Sequence, residues 1–468
     1  MTRADQVQEL RRTIRISITE GSFAQAFSAL VGPGSIFISK FAMMLNATPF
    51  QFGLLAAMGQ LSMLFQPLGS ALTRRLTTRK PAALRLLLAG RLLPLSFGML
   101  PFFLPAELAL WGFILAFFIA TTFSTIGGNL WIAWISDMIP ARLRGRFFSR
   151  RTQYLMLAGL AAGYSMGFFI DLIDVESGAG AGLMARISGM LRLQPELLPL
   201  GFLMVFTIAS ALGYASNRFL AMQPERSKEP EAERFGDLVR VPFKDSNFRR
   251  LMVYGIWWML AVGVAAPFWG PFMIEKLKMT MVQIQVYGTI STCSALLALR
   301  FWGRFIDRHG NKQAMRIALI LGGFNPMVWV LAAPTRYWFV YFEAITSGFM
   351  WAGAGIVGYN FVLAIAPKAR QQIYSGVFNA LSGAAMMLTM LLSGLVLPAL
   401  GRLQAGSLEP EQVQFAIAGL VRWSTLIPLA WISEPRVSPA APMQQYLRAA
   451  TRLLRAQGKQ WFHKNGGG

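Results

Sequence analysis

The segment that decides the fold is residues 303–312, which reads GRFIDRHGNK. A long apolar stretch lies on each side of it, so this glycine-led basic loop joins two apolar segments. A degraded copy of the loop, GSALTRR, occupies residues 69–75. The two copies start 234 residues apart, which is half of the 468-residue chain. This offset predicts that the chain contains two copies of one structural unit.

The composition is that of a membrane protein. Hydrophobic residues make up 54% of the chain and charged residues only 14%, whereas soluble domains carry about 25% charged residues. A net charge of +23 in a soluble protein suggests nucleic-acid binding. Here the basic residues lie in short loops between apolar runs, so membrane topology explains the charge. We therefore expect no nucleic-acid partner.

Few residues are available for enzyme or metal chemistry. The single cysteine, Cys293, excludes an intramolecular disulfide and any paired-cysteine site. The two histidines, His309 and His463, lie in separate basic segments, so they predict no metal site. Neither an HExxH motif nor a phosphate-binding GxxxxGK[ST] loop occurs. We expect neither an enzyme nor an ATP-driven pump, and no cofactor.

Hydropathy predicts an all-α integral membrane fold with twelve transmembrane helices. A spanning helix needs about 20 mostly apolar residues. Six candidates precede the polar stretch 223–249 and six follow it. They lie near residues 17–45, 50–73, 84–104, 107–138, 152–173, 197–222, 250–275, 281–305, 314–333, 337–366, 372–399 and 414–433.

The predicted helices group into five regions of the chain. Residues 1–16 form an N-terminal cytoplasmic segment and residues 17–222 a first six-helix bundle. Residues 223–249 form a central cytoplasmic loop, and residues 250–433 form a second six-helix bundle. Residues 434–468 form a cytoplasmic tail.

Local signals repeat between the two bundles. Pro33 and Pro267 are also 234 residues apart, each within the first helix of its bundle. Residues 48–51 (TPFQ) and 280–283 (TMVQ) open the second helices. Both fit a capping box, in which an N-cap threonine and a glutamine three residues later satisfy each other's backbone N–H groups. The agreement in order supports a duplication.

Lysine and arginine placement predicts the orientation of the chain. Cytoplasmic loops of membrane proteins carry an excess of these residues. They are concentrated after predicted helices two, four, eight and ten, while none lies between residues 92 and 141. Both termini are therefore expected to be cytoplasmic.

The tail has a basic pattern of its own. Arg448, Arg452, Arg455 and Lys459 lie on one face if the tail is helical. A basic amphipathic helix of this kind binds the anionic lipids of the inner leaflet. The alternative is a polar tail without such a helix.

The loop motif and the twelve-helix pattern together resemble the major facilitator superfamily, over residues 15–433. The family's loop is approximately G-x-x-x-D-[RK]-x-G-[RK]-[RK]. The second loop keeps Gly303, Asp307, Arg308, Gly310 and Lys312 of this motif. The resemblance implies two six-helix halves, transport by alternating access between them, a location in the bacterial cytoplasmic (inner) membrane, and a monomer.

The resemblance also implies a gate at the cytoplasmic side. Asp307 is expected to face the start of the fifth helix, near Arg144 and Arg146, and to hold that side shut. Asp137 precedes the same arginine-rich loop, which resembles those of bacterial members. The first-half copy has Thr73 where the acid is expected, so we predict a one-sided gate. The alternative is that Asp307 is a solvated loop charge.

Members of this family bind substrate between the halves, on helices one, four, seven and ten. Polar and aromatic residues of these helices are therefore the substrate-binding candidates. They are Gln25, Asn129, Trp131, Tyr254, Trp257, Trp258, Tyr359 and Asn360.

Charged residues inside the apolar runs are few, and each is costly in a bilayer. Glu343 is the candidate for proton coupling. Glu20 follows Ser17 by three residues, so we interpret it as part of a capping box at the start of the first helix. Arg91 is expected to extend toward the inner membrane face, and Arg422 to pair with an acid.

The leading hypothesis is a secondary active transporter that moves a small solute by alternating access, coupled to protons. The alternative is a flippase or exporter of lipids or lipid-linked products with the same fold. A membrane enzyme or sensor is the third class. The expected partners are the solute, protons and membrane lipids.

Overall fold

The computed structural model describes residues 3–66, 69, 72, 76–138, 141–174, 195–225, 241–367, 371–402 and 408–433. Within these ranges all regular structure is helical. The helices form twelve consecutive segments, and we call the end where segment 1 begins the terminal face and the opposite end the distal face. Nine helices of the described part are long and apolar enough to span a membrane.

The first half contains segments 1 to 6. Their helices are Arg3–Val31 and Ile36–Met44 (segment 1), Pro49–Met63 (segment 2), Lys80–Leu92 and Pro94–Phe103 (segment 3), Ala106–Met138 (segment 4), Ala141–Ile173 (segment 5) and Leu198–Ala221 (segment 6).

The second half contains segments 7 to 12. Their helices are Ser246–Gly263, Trp269–Pro271 and Phe272–Lys276 (segment 7), Met281–His309 (segment 8), Asn311–Val330 (segment 9), Trp338–Ile365 (segment 10), Gln371–Arg402 (segment 11), and Pro410–Ser424 with Leu426–Ala430 (segment 12).

Both predicted capping boxes are present at the starts of segments 2 and 8. The backbone N–H of Thr48 donates to Gln51 Oε1 at 2.8 Å, and that of Gln51 donates to Thr48 Oγ1 at 3.4 Å. The corresponding distances between Thr280 and Gln283 are 2.9 and 3.2 Å. These contacts satisfy N–H groups that a helix start leaves unpaired, so both segments start where the repeat predicts.

The equivalent prolines interrupt the first segment of each half. Segment 1 breaks between Val31 and Ile36, where Gly34 has a positive φ of 82° that favours glycine. Segment 7 is interrupted between Gly263 and Trp269, around Pro267. A proline lacks the N–H that a continuous helix needs, so each break follows from the local sequence.

One apolar core extends across both halves near the distal face. In the first half, the ring of Phe41 contacts those of Phe113 and Phe206, each at 5.0 Å between centroids. The same core includes Trp329 and Phe415 of the second half. A second core, which includes Trp258 and Trp302, lies within the second half. The shared core holds the halves together near the distal face.

The structure corrects the interpretation of Glu20. Segment 1 is helical from Arg3, so Ser17 and Glu20 lie in mid-helix and not at a helix start. Glu20 is also 3% exposed. It is therefore a buried carboxylate and does not form a capping box.

The letters GYSMG at residues 163–167 match the G-x-S-x-G pattern of hydrolase nucleophiles. In those enzymes the serine occupies a sharp turn between a strand and a helix. Here the five residues lie inside the continuous helix of segment 5. They pack against segment 8 and do not form a nucleophile elbow.

Candidate functional site

The two halves touch at backbone distance near the distal face, through segments 2 and 11. A Cβ atom built on Gly53 lies 2.6 Å from the carbonyl oxygen of Met390. One built on Gly394 lies 2.7 Å from the carbonyl oxygen of Pro49. Only glycine allows helices to approach this closely. This pair of segments is thus closed at the distal side.

Segments 5 and 8 form the second distal contact, around a buried carboxylate. Asp171 accepts hydrogen bonds from the backbone N–H groups of Met281 at 2.6 Å and Val282 at 2.8 Å. These residues begin segment 8, so the carboxylate lies at the positive end of that helix. About two helical turns from Asp171 toward the terminal face, Tyr164 and Thr289 share a hydrogen bond of 2.8 Å. We call the contact of Asp171 with segment 8 the distal latch.

An ion pair positions the helix that carries the latch. Asp174, at the end of segment 5, pairs with Lys40 of segment 1. The pair lies wholly within the first half and fixes the distal end of segment 5. The distal latch therefore rests on a charge pair that does not itself cross between the halves.

Between described residues, no hydrogen bond or ion pair like that of Asp171 joins the halves at the terminal face. The inter-half hydrogen bonds and close glycine approaches between described residues lie at the level of Gln60, Gly163 and Thr289 or nearer the distal face. Nothing lies within 4 Å of a Cβ built on Gly303, Gly358 or Gly376. Between described residues, the contacts that join the halves therefore lie toward the distal end.

A buried ionic cluster lies in the terminal part of the first half. Glu20 Oε1 is 3.3 Å from Arg91 Nη2, and Glu20 Oε2 is 3.2 Å from Arg151 Nη2. Ser216 Oγ donates to Glu20 Oε1 at 2.9 Å. The Arg151 guanidinium lies over the Trp131 ring, 4.6 Å from its centroid. Segments 1, 3, 4, 5 and 6 therefore converge on one carboxylate.

A cavity of about 220 Å³ opens beside this cluster. Two of the predicted substrate-binding residues, Gln25 and Trp131, line it together with Glu20, Arg91 and Arg151. Gln25 also packs against Gly159 of segment 5. Sequence reasoning found the two candidates but not the charges around them.

The second half contains a buried carboxylate of its own, Glu343. It is 3% exposed, and Tyr287 Oη donates to its Oε2 at 2.9 Å. Arg422 is 4% exposed and lies close enough for its charge to act on Glu343. Its Nη1 donates to the carbonyl oxygen of Gly322 at 3.2 Å. Glu343 is thus the acid whose charge acts on Arg422, and a direct ion pair between the two stays a prediction.

The other second-half candidates are not brought into one site. Trp258 is buried and its ring lies 5.8 Å from that of Trp351. Tyr254 is buried in the same core. Trp257 is 42% exposed and donates to Ser424 Oγ at 2.9 Å. Tyr359 is 64% exposed.

Two asparagine candidates bind neighbouring helices of their own half. Asn129 Nδ2 donates to the carbonyl oxygen of Gln66 at 3.5 Å. Asn360 Nδ2 donates to Asn311 Oδ1 at 2.9 Å. Their roles in substrate binding stay predictions.

The structure describes only some residues of the predicted cytoplasmic gate. Asp307 and Arg308 are exposed at the end of segment 8, and Gly310 has a φ of 84° between segments 8 and 9. Gly303 faces open space. The side chains of Asp137, Arg144 and Arg146, and Thr73, lie outside the described residues. The contact of Asp307 with segment 5 stays a prediction.

Sequence reasoning misinterpreted one buried charge of these contacts and did not identify two others. Arg91 is buried against Glu20 and does not extend to the membrane face. Arg151 and Asp171 lie at opposite ends of segment 5 and contact different partners. The available signal was charge inside an apolar run, because such residues are costly in a bilayer unless paired. No group of three or more metal-ligating side chains lies in the described part.

Comparisons with known proteins agree with this geometry. The family model described as Major Facilitator Superfamily matches residues 250–457. No curated protein sequence matches the chain. A solved structure of a mutant of the nucleoside transporter NupG is similar at a TM-score of 0.68 and 13% identity, covering 90% of this chain and 100% of that one.

Two further solved structures share the fold. An auto-inhibited POT family peptide transporter has a TM-score of 0.66 and 9% identity, covering 93% of this chain and 99% of that one. A D-xylose-proton symporter has a TM-score of 0.64 and 14% identity, covering 92% and 99%. Identities this low establish the fold only. With its duplicated six-helix halves and its spanning helices, the chain is an integral membrane protein that shares its fold with these transporters, and its residues 250–457 match the model of the major facilitator superfamily.

Proposed function

We propose that the protein is a secondary active transporter that moves a small solute across the membrane by alternating access, coupled to protons. The observation that carries the proposal is the asymmetry of the inter-half contacts between described residues. The halves are held together at the distal face by Asp171 and by the glycine contacts of segments 2 and 11. Rocking about these contacts exposes a central site to one face at a time.

The orientation follows from the charges at the terminal face. Arg79, Lys80 and Arg85 begin segment 3, and Arg304 and Arg308 end segment 8. By the positive-inside rule this face is cytoplasmic. In the proposed cycle this arrangement is the inward-open state, in which solute exchanges with the cytoplasm. We place the protein in the bacterial inner membrane, with both termini inside.

Glu343 is the proposed proton carrier. Its carboxylate is buried, with hydrogen bonds to Tyr287, Ser347 and Trp329 and with the charge of Arg422 nearby. Charging a buried carboxylate is costly unless it is paired. Binding or loss of a proton there changes its attraction to Arg422 of segment 12. Protonation is in this way linked to the packing of segments 8, 10 and 12.

Reconstituted vesicles test the function and its coupling. The purified protein is placed in proteoliposomes, and uptake of labelled solutes from thermal-shift hits is measured with and without an inward proton gradient. Gradient-driven accumulation by the wild type, lost in Glu343→Gln but kept in Glu107→Gln, supports the proposal. Glu107 is a matched acid, exposed in the first turn of segment 4. Lipid flipping without solute uptake overturns it in favour of the lipid-handling alternative.

A further inference from the structure

We propose that the first-half cavity binds the carboxylate group of a small organic acid. The inference names a substrate class for the proposed transporter. Only the transport of the acid rests on the proposed function. Binding to the cavity is a property that the geometry supports by itself.

Two residues that line the cavity carry buried donors without a partner in the described part of the chain. Arg91 is 6% exposed, and while its Nη2 binds Glu20, its Nη1 has no hydrogen bond. The indole Nε1 of Trp131 also has none. Both residues line the cavity. Native structures rarely leave buried donors unpaired, so a ligand with acceptor oxygens fits both.

The charge of the lining selects an anion. Two guanidinium groups, on Arg91 and Arg151, face one carboxylate, Glu20, so the three side chains sum to one positive charge. Arg151 is held by its donation to the carbonyl oxygen of Ser17 at 3.2 Å and by the Trp131 ring. The donors are thus fixed before a ligand arrives, which lowers the entropy cost of binding. A carboxylate balances the excess charge.

The size and the remaining lining limit the ligand to a small acid with an apolar part. Leu87, Leu155 and Ala24 form apolar walls. The volume of about 220 Å³ is below the 300–1,000 Å³ of drug-sized pockets. Gly128 also lines the cavity, and no atom lies within 4 Å of its Cβ position, so the space continues there. A monocarboxylate with a small apolar substituent meets these conditions.

Benzoate, benzamide and chloride are the probes that test the proposal. Binding to the purified full-length protein is measured by calorimetry and thermal shift at constant ionic strength. We expect benzoate to bind and stabilise the wild type, while its neutral isostere benzamide and chloride do neither. Trp131→Phe keeps a ring for Arg151 but removes the N–H donor. Because a hydrogen bond to a charged group is lost, benzoate affinity should fall about tenfold or more.

Trp338→Phe is the matched control, since Trp338 is exposed in segment 10 and stacks on Phe339. It should bind benzoate as the wild type does. The proposal is overturned if benzamide or chloride matches benzoate, if Trp131→Phe binds benzoate unchanged, or if both variants weaken it equally. Benzoate binding without uptake in proteoliposomes leaves the site intact and refutes the transport of acids. Uptake of neutral solutes without benzoate binding supports the transport function and overturns the carboxylate site.

Discussion

The replacement Asp171→Asn should loosen the distal face by breaking the latch. Asp171 is the only side chain shown to accept from both of the first two N–H groups of segment 8, and it does so at 2.6 and 2.8 Å. Asparagine has one acceptor oxygen and no charge. It therefore keeps at most one of the two hydrogen bonds and loses the attraction to the helix N-terminus.

The expected magnitude follows from these losses. A hydrogen bond to a charged group contributes about 1.5–3 kcal/mol. A charge at a helix N-terminus contributes about 0.3–1 kcal/mol. Their sum is about 2–4 kcal/mol, and each 1.4 kcal/mol changes an equilibrium constant by about tenfold. The population with an open distal face should rise by between about 30-fold and several hundred-fold.

Cysteine labelling measures this population. Cys293, the single native cysteine, is replaced by serine, and Gln285→Cys places one thiol beside Gly163 in the contact of segments 5 and 8. In vesicles whose distal face is outward, a membrane-impermeant maleimide reaches this thiol only when the face opens. Its labelling rate in Asp171→Asn should exceed that in the parent by at least about tenfold.

Glu107→Gln is the control for the latch. It removes an exposed acid from the first turn of segment 4, at the same end of the first half, and Glu107 is not a partner in the latch. The reasoning is refuted if Asp171→Asn labels at the parental rate, or if Glu107→Gln accelerates labelling as much. Elution as a single detergent-bound species confirms that each variant is folded.

Three further changes have defined outcomes. Glu343→Gln should abolish gradient-driven accumulation of solute but keep solute counterflow, because only the proton step is removed. Glu107→Gln is the control, and loss of counterflow in Glu343→Gln would contradict a role limited to the proton step. Gly394→Ala should lower thermal stability and speed distal labelling, since its Cβ lies 2.7 Å from a backbone carbonyl oxygen of segment 2. Gly376→Ala should do neither, because no atom lies within 4 Å of its Cβ position. Glu20→Gln should reduce unfolding stability by about 3–5 kcal/mol, because it leaves two buried guanidinium groups without their carboxylate; an unchanged melting temperature would show that the cluster contributes nothing.

Local patterns in the sequence determined the membrane class, the segment order and several helix ends. The starts of segments 2 and 8 were predictable because a capping box involves residues only three apart. The breaks at Pro33 and Pro267 were predictable because a missing N–H acts within one turn. Glu20 was misread for the same reason. Its spacing from Ser17 fits a cap, but helix formation from Arg3 overrides that local signal.

Only the tertiary structure decided which charges meet. Glu20 lies 71 residues from Arg91 and 131 from Arg151 in the chain, yet all three join in one cluster. Asp171 similarly binds the start of a helix 110 residues later. Hydropathy places each charge in a helix but not on a particular neighbour, because partners are chosen by helix packing and by the cost of burying an unpaired charge. The sequence by itself determined two six-helix membrane units, and their packing placed the latch and the cavity.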